Sequence, residues 1–99
     1  MDIKSFQKEV EELFNKISKR RKNKHTKEEI FIHLVEEIGE IARQLINKKI
    51  KRKKFDIKNL EEEISDSILF LTYLASLHKI NLDKSLKNEI KKLKTKFKI

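Results

Sequence analysis

The 99 residues contain no cysteine, no proline and no tryptophan, and a single glycine, Gly39. Without cysteine there is no disulfide, zinc–thiolate site, iron–sulfur cluster or thiol nucleophile. The near absence of glycine and proline argues against a β-rich fold, whose tight turns draw on both. It also excludes the P-loop and the glycine-rich dinucleotide loop, each of which needs several glycines. Long hydrophobic runs are missing as well. The longest, residues 68–77, is broken by Thr72, Tyr73 and Ser76 and is too short to span a bilayer. Met1-Asp2-Ile3-Lys4 offers no apolar signal region, so a cytoplasmic protein without a membrane partner is expected.

Charge is what the chain has in abundance. Lys plus Arg is 25 against 16 for Asp plus Glu, a net charge of +9, and 41% of residues are charged. Such a balance suits anionic partners: nucleic acid, nucleotide phosphates or a membrane surface. Only four of the 25 cations are Arg, the residue that reads bases and phosphates bidentately. Sequence-specific DNA recognition is therefore not expected. The length predicts one domain, residues 1–99. A chain of this size hides only about 60–65% of its surface on its own, a shortage that oligomerisation would relieve.

Apolar spacing predicts four helices. Ile3, Phe6, Val10, Leu13, Phe14 and Ile17 place the first from Asp2 to Arg20. Residues 19–25 read as a polar loop. Thr26 with Glu29 forms a capping box that opens the second helix, with the stripe Ile30, Leu34, Ile38, Ile41 and Leu45. Asp56 can cap the third, with the stripe Ile57, Leu60, Ile64, Ile68, Leu71 and Ala75. Asn81 can cap the fourth, with Leu82, Leu86, Ile90, Leu93 and Phe97. The segment 68–75 is apolar almost all round, which predicts burial on every face, in the centre of a bundle or at a subunit interface.

The informative feature is where the acids fall. In a basic chain they concentrate as Glu36-Glu37-x-x-Glu40 on the second helix and Glu61-Glu62-Glu63-x-x-Asp66 on the third. Residues three or four apart on a helix are surface neighbours, so Glu37 projects with Glu40, and Glu63 with Asp66, each pair at the edge of the apolar stripe. If the two helices pack antiparallel, as a short connection suggests, the four carboxylates can face one another. Converging like charges repel unless compensated, and no lysine falls on these faces near them. A divalent cation held by oxygens alone would compensate, Mg²⁺ or Mn²⁺ rather than zinc. The di-iron carboxylate bundle needs Glu-x-x-His on two helices, and the chain has none.

Residues 34–42 (LVEEIGEIA) and 60–71 (LEEEISDSILFL) resemble the MazG-like nucleoside triphosphate pyrophosphohydrolases of the all-α NTP pyrophosphatase superfamily. The similarity extends from Leu34 to Phe97, including Gly39 and the Ile80-Asn81-Leu82 step. It implies an all-α four-helix bundle, assembled as a homodimer or homotetramer, that converts a nucleoside triphosphate and water into the monophosphate and pyrophosphate. It further implies Mg²⁺ held by Glu37, Glu40, Glu63 and Asp66. Glu36 would be a further catalytic acid, touching a second ion or orienting a water. Many members carry Lys, Asn and Arg along the last helix to hold phosphate. The corresponding positions here are Glu89, Leu93 and Lys96, of which only Lys96 keeps the charge, with Lys94 among the possible stand-ins.

Other residues have plainer readings. Phe70, one turn after Asp66, could stack on a nucleobase or pack in the core. His33, one turn before Glu37, could touch a phosphate or simply lie at the surface. His25 and His78 fall at helix ends, and Arg43 is spaced to pair with Glu40. The run Lys48–Lys54 would draw a nucleotide electrostatically. A non-catalytic basic bundle, binding nucleic acid or serving as an oligomeric scaffold, is the alternative, but it leaves the paired acids unexplained.

Overall fold

Side-chain caps start all four helices in the computed structural model, which describes residues 1–22, 26–50 and 55–99. Helix α1 is Ile3–Arg21, α2 Lys27–Ile50, α3 Ile57–Leu77 and α4 Leu82–Lys96. Asp2 accepts from the Ser5 amide at 2.7 Å and Thr26 Oγ1 from the Glu29 amide at 3.1 Å. Asp56 accepts from the amides of Lys58 and Asn59, and Asn81 from that of Lys84. Each cap satisfies an amide that has no partner inside its helix. His25 and the Lys51–Lys54 part of the basic run lie outside the described residues.

α2 and α3 form an antiparallel hairpin, the most extensive packing in the molecule. α1 lies along α3 in the opposite direction. Gln7 Nε2 near the start of α1 donates to Ser76 Oγ at 3.2 Å and to the Ile80 carbonyl at 2.7 Å. Further on, Phe14 stacks on Tyr73, with ring centroids 4.5 Å apart. Val10, Phe14, Ile30 and Tyr73 form the buried core, flanked by Phe6, Leu69, Phe70, Leu74 and Leu77.

The inward faces differ from the expected stripes. On α2 the line facing α3 runs Ile30, Leu34, Glu37, Ile41, Gln44, alternating steps of four and three. That is the spacing of a seam between two long helices. Ile38 and Leu45, expected inside, are 50% and 53% exposed. On α3, Ala75 is buried and Leu60 half-buried, while Ile57, Ile64, Ile68 and Leu71 stay exposed. Within one chain the segment 68–75 is therefore not covered all round, which leaves the subunit interface rather than the bundle centre to cover it: Thr72, Tyr73 and Ala75 are buried, and Ile68 and Leu71 look outward. The two helices carry more apolar residues than one seam absorbs, and the surplus lines the side of the hairpin opposite α1.

α4 is the least integrated element. It packs on α1, and no comparable packing joins it to α2 or α3. Its expected stripe of Leu86, Ile90, Leu93 and Phe97 is exposed. The radius of gyration, 16.3 Å, exceeds the roughly 13 Å of a compact domain of this length.

Candidate metal centre

Half-way along the hairpin the seam changes character. Glu37 occupies the inward position that follows Leu34, and across from it α3 presents Glu63 and Asp66. One carboxylate oxygen from each of these three residues lies within 4.8 Å of the other two, and all three residues are half-buried. The sequence put Glu37 at the edge of the stripe; it lies in the seam itself. That is why its carboxylate meets those of α3.

The electrostatics are those of crowded like charges. The Glu37 carboxyl is pushed up to about 7. The first cause is a hydrogen bond with Glu63, which needs a proton held between them. Desolvation and the charges of Glu63, Asp66 and Glu36 add to it. Glu37 Oε2 is buried without a hydrogen-bond donor to serve it, and among the described residues no Lys or Arg pairs with Glu37, Glu63 or Asp66.

A shared proton or a cation can relieve such a group. All donors are carboxylate oxygens, which match a hard divalent ion. Oxygens around Mg²⁺ stand about 3 Å apart when adjacent and about 4.2 Å when opposite, so the three, within 4.8 Å of one another, would draw together on an ion. The residues present fit a divalent cation.

The remaining candidates are distributed less tightly. Glu40, one turn beyond Glu37, is turned to Arg43, whose Nη1 lies 3.0 Å from Oε1, and is not one of the clustered three. Glu36 is exposed and acts on Glu37 through its charge. Phe70 is half-buried, with the Phe14 and His33 ring centroids each 5.7 Å from its own. His33 is thus a half-buried ring stacked on Phe70 rather than a surface side chain. Lys94 and Lys96 lie at the far end of α4, which packs chiefly on α1, and among the described residues neither forms an ion pair with the clustered carboxylates.

One supporting residue was not foreseen. Gln44 is buried, and its Oε1 accepts from the Asp56 amide at 3.2 Å, tying the end of α2 to the cap of α3 and so fixing the hairpin register. The signal was its place in the four-three series after Glu37, visible only once the series is anchored on Ile30.

The family model of the MazG nucleotide pyrophosphohydrolase domain matches residues 25–98, about three-quarters of the chain. The chain belongs to the MazG family. The match takes in α2, α3 and α4, and with them both acidic clusters. Neither the curated proteins nor the solved structures returned a match. Four helices and no strand among the described residues agree with the all-α architecture, and no helix is long and apolar enough to cross a membrane.

Proposed function

We propose that this MazG-family chain is a Mg²⁺-dependent nucleoside triphosphate pyrophosphohydrolase that clears nucleotides from the pool. In this reaction water adds to phosphorus, the bond between the α and β phosphates breaks, and monophosphate and pyrophosphate leave. The observation that carries the reading is the convergence of Glu37, Glu63 and Asp66 from two helices on one point, with no cationic side chain among the described residues to balance them. When bound, a divalent ion would neutralise triphosphate oxygens and acidify a water. Mn²⁺ would serve in its place.

The chain's own groups then take separate parts. Glu37, Glu63 and Asp66 hold the ion. Glu40 would be a fourth ligand once parted from Arg43, a pair that costs little to break because exposed ion pairs are weak. Glu36, exposed beside Glu37, accepts a proton from the attacking water. Phe70 and the His33 ring stacked on it border the nucleobase.

Phosphate charge is left for cations. Lys94 and Lys96, at the far end of α4, act on the site of a second copy. The exposed apolar side of the hairpin, Val35, Ile38 and Leu45 with Ile64, Ile68 and Leu71, supplies the contact for a homodimer, or two such contacts for a tetramer.

Purified protein with Mg²⁺ and a panel of nucleoside triphosphates is expected to release pyrophosphate. Glu63→Gln is expected to stop the release while leaving the helical signal intact. Release of orthophosphate instead, or no release from any triphosphate, would refute the assignment.

A further inference from the structure

α1 carries a polar group that neither acidic cluster includes. Ser18 is 8% exposed, and its hydroxyl has no hydrogen-bond partner among the described residues. A serine inside a helix ordinarily points to water or bonds back to the carbonyl four residues earlier. The neighbouring hydroxyls on α3 do the second: Ser67 Oγ donates to the Glu63 carbonyl at 2.8 Å and Thr72 Oγ1 to the Ile68 carbonyl at 2.7 Å. Ser18 does neither, and a buried hydroxyl left unpaired is costly.

Its place in the fold follows from the antiparallel run of α1 and α3. Val10, Phe14 and Ser18 form one row, each a turn apart and all buried. Gln7 is level with Ser76, and Phe14 with Phe70 and Tyr73. Each turn forward on α1 is a turn back on α3. One turn beyond Phe14 is Ser18, and one turn before Phe70 is Asp66. By this register the unpaired hydroxyl falls level with the Asp66–Phe70 stretch of α3, on a third helix.

We propose that the Ser18 hydroxyl is a nucleoside contact: it hydrogen-bonds the sugar or base of the nucleotide whose phosphates are held at the carboxylate cluster. This rests on the pyrophosphohydrolase reading and adds α1 to the site. A neutral hydroxyl donates and accepts, which suits a sugar hydroxyl or a base edge. Aromatic rings beside it suit the same part of the ligand. A phosphate would call for a cation, and the cations of this turn, Lys19, Arg20 and Arg21, are all exposed.

The test compares two ligands on the wild type and on Ser18→Ala. Calorimetric titration in Mg²⁺ would use the eight common ribo- and deoxyribonucleoside triphosphates, then inorganic tripolyphosphate. The expected result is about 5–10-fold weaker binding of the preferred nucleotide by the variant, the loss of one neutral hydrogen bond. Tripolyphosphate affinity should not change, nor should the melting temperature of the free protein fall, because the hydroxyl has no partner there to lose. Equal nucleotide affinity in the two proteins would overturn the Ser18 assignment while leaving the enzyme reading intact. So would an equal loss on both ligands, or a lower melting temperature of the free variant. A wild type that binds none of the eight nucleotides would end both.

Discussion

From Ile30 to Leu34 the seam between α2 and α3 is dry, and from Glu37 to Gln44 it is not. In the first stretch Ile30 is fully buried and Leu34 nearly so, facing Phe70, Tyr73 and Leu77 under the cover of α1. In the second, the inward positions hold Glu37 and Gln44 with the half-buried Ile41 between them; Glu37 meets Glu63 and Asp66, and Gln44 meets the Asp56 amide. The backbone is one pair of regular helices throughout, so geometry does not separate the halves; the side chains do. The dry half holds the hairpin together by apolar burial, worth roughly 25 cal/mol per Å². That stability lets the wet half keep three carboxylates in a place where, without a cation, they repel.

The division can be tested by attacking each half in turn. Ile30→Ala should have the largest effect on folding, about 2–5 kcal/mol from lost burial and the cavity left behind, read as a fall in melting temperature with and without Mg²⁺. Asp66→Asn should do the opposite. Pyrophosphate release should drop by about 10²-fold or more, several kcal/mol of charge stabilisation. The metal-free melting temperature should hold or rise, because a repelling charge is gone. If Asp66→Asn destabilised the metal-free protein as much as Ile30→Ala, the wet half would be structural and the contrast between the two would fail.

Protonation sharpens the same contrast. The Glu37 carboxyl is raised from 4.5 to about 7 in the folded protein. Below about 4.5 its contribution to stability is fully present. Through the window up to about 7 the folded form keeps a proton that the unfolded form gives up, so stability falls as pH rises. Metal-free protein should therefore melt lower at pH 8 than at pH 5.5. Saturating Mg²⁺, which binds the ionised carboxylates, should reverse that trend. Glu37→Gln should remove this group's share of the metal-free slope, whereas Leu34→Ala, one turn away in the dry half, should lower the melting temperature at both pH values alike. A smaller effect is expected at the hairpin's turn: Asp56→Ala should cost about 1 kcal/mol through the lost cap, by denaturant titration.

The helices were legible in the sequence because their ends carry local chemistry. Thr26, Asp56 and Asn81 cap where a capping residue was expected, and α1 begins and ends one residue later than its periodicity suggested. The acids were legible because two clusters on consecutive helices stand out against 25 cations. The rotation of the helices was not. Residues 30, 34 and 41 of α2 and residues 31, 35, 38 and 45 are both apolar sets at helical spacing, and only packing against α1 and α3 decides which turns in. That rotation carries Glu37 from the stripe's edge into the seam. It also leaves Ile38, Ile64 and Ile68 outside. The tie between Glu40 and Arg43 was expected from spacing, but its consequence, a motif acid turned away from its three partners, depends on rotamers that no pattern encodes.

Anomalous diffraction from crystals soaked in Mn²⁺ bears most directly on the claim that two helices aim their carboxylates at one divalent ion. A single strong peak between Glu37, Glu63 and Asp66, lost in crystals of Glu63→Gln, is the expected result. No peak among those oxygens at millimolar Mn²⁺, with the three side chains still facing one another, would contradict it.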